Sequence, residues 1–498
     1  MAKELLRKAR AYEQTHRPEV QEELPFFHLT GGVGWINDPN GFAPYKGEYH
    51  LFFQYYPYDT QWGPMHWGHA KTKDFIRWEF LPAALAPDEE YDKDGCFSGG
   101  AVELPDGRHL LMYTGVSDQP QADGTVRTFQ TQCIAIGDGV NYEKYPFNPV
   151  ITAADLPEGG NIRDFRDPKL WWENGTYYAV TVNRGPDGSG NVLLYESPDA
   201  LHWKLDGVMA ACQNQYGRMW ECPDFFHLDG KDVLLHSVME MQAKGLEFHP
   251  GNSKIYHIGR FDRENCRMQD EAVYALEYGL DFYAAQTLET EDGRRIMIAW
   301  MQSWESSSRR PEGLRFMGQM TVPRELRIRN GRLCQLPVRE LENYRRCKVA
   351  YENVPVREEC SLPQIRGRVL DMVLELKPTE TPYERFDLEI AKSEAFVTTI
   401  SVLPKKGTVR IDRTYSGFPH DVVHVREFPA RFRDGGIRLR LILDRWSAEL
   451  FVGDGEQAAS TVLYSPQSAD GICFRCDQTV LVTVEKYELA VQKNESKN

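Results

Sequence analysis

Trp35-Ile36-Asn37-Asp38-Pro39-Asn40-Gly41 places one carboxylate between two amides and beside an indole. Pro39 lacks a backbone donor and biases Asp38 toward an extended conformation. Asn40-Gly41 is a strong turn signal, and a strand-like run follows from Tyr49 to Tyr56. Asp38 is therefore expected where a strand meets a tight turn. Taken alone, Asn-Asp-Pro-Asn-Gly is an ordinary β-turn. What gives it weight is that it opens a unit that recurs.

The unit begins with polar residues and a strand, turns at a glycine, and returns as an aromatic and aliphatic strand. It spans Gly41–Gln54, Ser98–Gly115, Pro168–Val182, Pro223–Val238 and Gln286–Met301. The turns are Lys46-Gly47, Asp106-Gly107, Asn174-Gly175, Asp229-Gly230 and Asp292-Gly293. A second hairpin follows each. Three of these carry a late aromatic, in Lys73–Trp78, Gly139–Tyr142 and Asp199–Trp203; the fourth and fifth are expected near Phe261-Asp262 and Asn330-Gly331. Long helical periodicity is absent. Five units of two hairpins fit an all-β five-bladed β-propeller, with an irregular sandwich as the alternative. In a propeller the first strands line the axis. The polar starts Asn37-Asp38, Phe97-Ser98, Arg166-Asp167, Glu221-Cys222 and Asp281-Phe282 would then converge on one funnel.

The 498-residue chain is longer than one core usually covers. Residues 1–23 read as an N-terminal helical tail with Leu5, Leu6, Ala9 and Tyr12, and 24–338 as the propeller. The charged stretch 339–353 reads as a linker able to form a short helix. Alternating β patterns from 354 to 492 read as a C-terminal β-sandwich. A net charge of −15 without a basic block argues against nucleic acid, and no apolar run approaches a membrane span. Ten cysteines without a secretion signal read as reduced thiols in a cytoplasm. The lone Cys473/Cys476 pair reads as structural thiols, and His66 and His69 as structural rather than ligands, so neither a metal nor a cofactor is expected.

Asp38, Asp167 and Glu221 each begin a unit, beside a Pro or an Arg. Glycoside hydrolysis needs two carboxyl groups flanking the scissile bond, one to give a proton and one to attack or activate water. Trp35, Trp62, Phe97, Trp220, Tyr283 and Trp300 suit the apolar face of a sugar. Asn37, Gln54, Ser98 and Arg166 suit its hydroxyls.

Trp35–Gly41, Phe165-Arg166-Asp167-Pro168 and Trp220-Glu221-Cys222-Pro223 resemble the three signature motifs of glycoside hydrolase family 32, the β-fructofuranosidases. Met65–Ala70, Phe97-Ser98-Gly99, Asp281–Ala284 and, late in the chain, Leu443-Asp444-Arg445 with Glu449-Leu450-Phe451 extend the resemblance over nearly the whole sequence. It implies a propeller followed by a sandwich, with Asp38 as nucleophile, Glu221 as acid/base and Asp167 as the carboxylate that grips fructose hydroxyls. It also implies substrate contacts at Asn37, Gln54, Trp62, Phe97, Ser98, Arg166 and Trp300. Glu221 has to start protonated, and partial burial against Trp220 together with the charge of Asp38 is expected to favour that. Two departures stand out: Ala285, where many relatives have Pro and where a looser rim loop is expected, and Trp446, expected outside the site.

The implied reaction is retaining release of terminal β-D-fructofuranosyl units from sucrose and short fructo-oligosaccharides. Sucrose 6-phosphate hydrolysis, fructosyl transfer and non-catalytic sugar binding are the alternatives. Arg184, Arg309 and Arg310 are the arginines considered for a phosphate. The partner expected is a small sugar, and the sequence leaves monomer and homodimer equally open.

Overall fold

The computed structural model describes residues 3–419 and 421–491, so the outer bounds expected at 1 and 492 lie outside the described residues. Four strands form blade I: Gly34–Tyr45, Glu48–Tyr56, His66–Thr72 and Glu79–Leu85. Blade II runs from Gly95–Glu103 to Tyr142–Lys144, blade III from Asn161–Glu173 to Lys204–Ala211, and blade IV from Met219–Leu228 to Arg267–Ala275. Blade V takes Tyr283–Glu289, Arg295–Trp300, Arg324–Arg329 and Arg332–Pro337. The five-bladed propeller is thus present, with antiparallel neighbours throughout each blade.

Local chemistry explains the repeat. At Lys46-Gly47, Asn174-Gly175, Asp229-Gly230 and Asn330-Gly331 both turn residues have positive φ. That is the two-residue hairpin geometry whose twist matches the strands it joins, and Gly adopts it without a Cβ penalty. In the outer hairpins, Asp74, Asp138 and Asp199 each accept two backbone N–H groups from the turn that follows. The sequence reading placed these turns correctly. It misread Asn40-Gly41, which lies inside the strand Gly34–Tyr45 as a register slip, with Gly41 at φ 52°.

Blade V is interrupted by the excursion 301–323. Within it, Phe316 and Met317 pair in parallel with Gly34 and Trp35 of blade I, and Met320 N–H donates to Leu29 O (2.7 Å). This ties the last blade to the first.

The stretch 339–353 opens with a short linking helix, a 3-10 helix over Arg339–Tyr344, and from Arg345 the chain is already the sandwich strand Arg345–Cys360. Its residues are exposed or half-buried with Val356 alone buried, so charged side chains run along it without apolar alternation. It pairs along one edge of the 19-residue strand Gly471–Leu489. The other edge of that long strand pairs first with Phe386–Lys392 and then with Leu370–Pro378, so the two layers of the sandwich diverge from it. Met372, Leu388, Ile400, Leu441 and Phe474 fill the core between them. The N-terminal helix runs Glu4–Val20 and buries Leu6, Ala9, Glu13 and Val20; Leu5 faces solvent and Tyr12 is half-buried.

Propeller and sandwich meet through buried charge. His28 sits between Asp444 (2.9 Å) and Glu449 (2.8 Å), with all three side chains fully buried. Both carboxylates outweigh the burial penalty and push the His28 imidazole up to about 9. Glu449 also accepts from Arg324 (2.5 Å) and Val322 N–H (2.7 Å). Asp281 receives Arg413 and Val462 N–H from the sandwich. Gly279 passes so close to Ser460 that a Cβ would lie 2.2 Å from its backbone N and O.

Candidate active site

In all five blades the inner strand loses register at the same depth. The slips fall between Ile36 and Pro39, Phe97 and Gly99, Arg166 and Lys169, Glu221 and Asp224, and Tyr283 and Gln286. A bulge re-aims the side chains it carries, and here Asp38, Ser98, Asp167, Glu221 and Tyr283 are turned into one funnel. Asp167, Cys222 and Ala284 take φ of 61°, 48° and 56°, a region costly for residues other than glycine, so the surrounding packing has to enforce it.

Asp38 is held by three donors. Asn37 Nδ2 lies 3.1 Å from Oδ1, Ser98 Oγ 2.7 Å from Oδ2, and Cys222 Sγ 3.4 Å from Oδ2. Trp35 Nε1 fixes Asn37 by donating to its carbonyl (2.8 Å). Burial raises the pKa of Asp38, Glu221 adds to the rise, and the Ser98 and Asn37 hydrogen bonds oppose it. Asp167 receives Cys222 N–H (2.9 Å) and lies 3.7 Å from Cys222 Sγ, so this cysteine bridges the two aspartates. Burial takes Asp167 up to about 7 despite Arg166, with Glu221 and Asp38 pushing the same way.

Glu221 faces only donors. Arg166 reaches Oε1 from Nε (3.1 Å) and NH2 (2.9 Å), and the Tyr283 hydroxyl donates to Oε2 (2.6 Å). Gln130 and Asp164 hold the far side of Arg166 (3.2 and 3.3 Å). The expected contact with Trp220 is absent. Side chains alternate along a strand, so Trp220 points into the core, stacks on His236 (3.9 Å between centroids) and donates to Tyr216 O.

The other expected contacts divide by depth. Trp62 is 48% exposed and meets Phe97 edge-on (6.0 Å), forming the rim. Gln54 is buried and donates to Cys96 O (3.0 Å). Trp300 is fully buried behind Trp35 (5.9 Å), backing the wall. Ala285 is no rim residue: it packs with Phe226, Phe282 and Met297 in the core between blades. Asp281, expected in the funnel, faces the sandwich instead. Trp446 lies at the sandwich and donates to Glu23 O (2.6 Å). Arg184 is taken by Asp164 (3.0 Å) and Arg309 by Asp421 (2.5 Å). His66 Nδ1 donates to its own loop at Pro64 O (2.9 Å), and His69 pairs with His50 (2.9 Å). No group of three or more His, Cys, Asp or Glu among the described residues could hold a metal.

Sequence reasoning missed the supporting layer. Asn40, oriented with its amide nitrogen toward Ser98 Oγ (3.3 Å), accepts from Gln54 N and Nε2 (3.1 and 3.0 Å). Thr114 Oγ1 accepts from Asp167 N–H (3.0 Å) and donates toward Gln132 (3.0 Å). Asn40 and Cys222 stood inside the quoted motifs, and that was their only signal; Thr114, Gln130 and Gln132 had none.

The glycosyl hydrolases family 32 N-terminal domain model matches residues 28–337, and the family 32 C-terminal model matches 340–489. A raffinose invertase from Escherichia coli is 37% identical over 451 residues, covering 89% of this chain and 90% of its own. A sucrose-6-phosphate hydrolase from Zymomonas mobilis is 36% identical over 453 residues, covering 87% and 85%. A Bombyx mori GH32 beta-fructofuranosidase, solved as a mutant in complex with sucrose, superposes with a TM-score of 0.82 at 32% identity, over 97% of this chain and 98% of that one. The bulged acids of the funnel and these matches over both domains lead to one conclusion: the chain belongs to glycoside hydrolase family 32.

Proposed function

We propose that this chain is a retaining β-fructofuranosidase that hydrolyses sucrose and short fructo-oligosaccharides. The observation that carries the reading is the pairing of Asp38 with Asp167 through Cys222, opposite a Glu221 held by Arg166 and Tyr283. Asp38 attacks C2 of the terminal fructosyl unit. Asn37 and Ser98 fix the attacking oxygens, the positioning that converts bound substrate into a near-attack arrangement. Glu221 gives its proton to the departing oxygen, and the covalent fructosyl-enzyme forms. Glu221, now a carboxylate with Arg166 and Tyr283 as donors, takes a proton from water. That water attacks C2 and releases fructose with its configuration retained. Asp167 accepts from fructose hydroxyls while positive charge builds at the anomeric centre.

Asp38 and Asp167 are buried beside the half-buried Glu221, and burial first, then the neighbouring carboxyls, raises both aspartates. Ten unpaired thiols support a reducing, cytoplasmic setting, and no helix among the described residues is long and apolar enough to cross a membrane.

The test is free glucose against free fructose on sucrose, sucrose 6-phosphate, kestose, inulin and levan. Equal release from sucrose is expected. Excess glucose would make the chain a transferase, and no release would make it a binding protein.

A further inference from the structure

The inner strand of blade III slips register twice. The second slip lies nearer the start of the strand: Asn183 is opposite Phe165 and Arg184 is opposite Asn161, so Ile162, Arg163 and Asp164 bulge out between them. Asn183 is buried and holds this bulge. Its Nδ2 donates to Asn161 O (2.8 Å) and Asp164 O (3.0 Å), and its Oδ1 accepts from Asn161 N–H (3.2 Å). A bulge re-aims the side chains it carries, and this one turns Asp164 onto Arg166.

Asp164 lies between two guanidinium groups. Its Oδ1 accepts from Arg166 NH1 (3.3 Å), and its Oδ2 ion-pairs with Arg184 Nε (3.0 Å), at the end of the neighbouring strand Thr176–Arg184. On its other side Arg166 gives Nε and NH2 to Glu221 Oε1. The charged groups therefore alternate in one row: Glu221, Arg166, Asp164, Arg184. The side chains of Arg166 and Asp164 are only 10% and 14% exposed, so water and salt screen the middle of the row weakly.

The row bears on a conflict at Glu221. A guanidinium at 2.9 Å favours the carboxylate, which the second step needs as a base, whereas the first step needs the proton. Asp164 offsets part of the Arg166 charge, and Arg184 limits how far it does so. The other titratable groups that interact with Glu221 are Tyr283, Asp38, Asp167 and Cys222.

We propose that Asp164 and Arg184 are positioning residues that set the pH range over which Glu221 serves as the acid, by balancing the charge of Arg166. Neither touches the reacting atoms in this account. The proposal rests on the β-fructofuranosidase reading, because it assigns the alkaline limb of the rate profile to the proton on Glu221. It also gives Arg184 a part in the reaction through a carboxylate.

The test uses the full chain as wild type, Asp164→Asn, Arg184→Gln and Arg184→Lys. Asp164→Asn keeps the shape and removes the charge, which leaves Arg166 less balanced. Glu221 then gives up its proton more readily, and the alkaline limb of kcat/KM on sucrose should move to lower pH by about half a unit or more. Arg184→Gln leaves Asp164 to act more strongly on Arg166, so the limb should move to higher pH by about as much. Arg184→Lys keeps the charge and should keep the limb near that of wild type. Limbs unmoved in both charge-removing variants, or moved in the same direction, overturn the proposal and leave the hydrolase reading standing. A lower Tm with an unmoved limb does the same, since it makes these contacts structural only. Should one charge-removing variant fail to fold, the direction of the other decides.

A second readout does not need turnover. The chain is labelled with 13C at its glutamate carboxyls, and the Glu221 signal is assigned by its loss in Glu221→Gln. Should sucrose not be cleaved, the hydrolase reading fails and this titration alone decides. Midpoints displaced in opposite directions by Asp164→Asn and Arg184→Gln support the charge row, and a common midpoint overturns it.

Discussion

The role proposed for Asp38 rests on what surrounds it: two side-chain donors, a thiol and almost no water. Asp38→Ala removes the proposed nucleophile and Glu221→Gln the proposed proton donor. Each is expected to lower kcat on sucrose by at least about 10²–10⁴-fold while the circular dichroism spectrum stays that of wild type. A folded variant keeping more than about a tenth of kcat would strip that residue of its role. Ser98→Ala makes a finer point. The Ser98 hydroxyl opposes the upward push of burial on Asp38, so its loss raises that pKa further. More alkaline solution is then needed to ionise the nucleophile. The acidic limb of the kcat/KM profile should move to higher pH, and a limb that stays in place would show that Asp38 does not set it. At this scale the acids were legible because a short motif names them. The orientation of Trp220 was not, because adjacent residues on a strand point to opposite faces and the two neighbours in the motif part company.

The inner strands show what a bulge accomplishes: five register slips at one depth gather residues from five blades. Glycine turns marked where these hairpins fold, and turn chemistry is local enough to be read from the chain. Register is not local, so Asn40-Gly41 passed for a turn, and Ala285 for a loop residue, when both belong to bulged strands. The strand Arg345–Cys360 was missed for a related reason, since a charged strand edging a long partner lacks the apolar alternation that announces a strand. Elements also carry a pH dependence. His28 is ordinarily near 6.5 and is raised to about 9 between Asp444 and Glu449. A raised histidine contributes stability that is full below its unfolded value and lost as pH climbs through its folded value. The shift corresponds to something on the order of 3 kcal/mol. Thermal melts should therefore fall between about pH 6.5 and 9, and His28→Gln should flatten that fall. Parallel curves for variant and wild type would remove His28 from the account.

For the whole molecule, the propeller and sandwich share one buried charge network, and both family domains are needed to close it. Ending the chain near 338 would strand Arg324 and His28 without Glu449 and Asp444, and buried charges left unpaired cost several kcal/mol. It would also uncover the apolar face at the sandwich. The truncated propeller should be poorly soluble or melt well below the full chain; equal solubility and equal Tm would contradict this. The two-domain plan was readable because repeats and turn spacing persist over hundreds of residues. The close approach of Gly279 to Ser460 was not, because it joins two segments distant in sequence.

The central claim is that Asp38 and Glu221 carry out a double displacement at C2, and its stereochemistry can be read directly. The full chain is given sucrose in aqueous methanol, and the methyl fructofuranoside formed is identified by NMR before it is itself cleaved. Methanol intercepting a fructosyl-Asp38 intermediate from the face opposite that carboxylate gives the β-anomer, the result predicted here. The α-anomer would mean a single displacement without that intermediate and would contradict the assignment of Asp38.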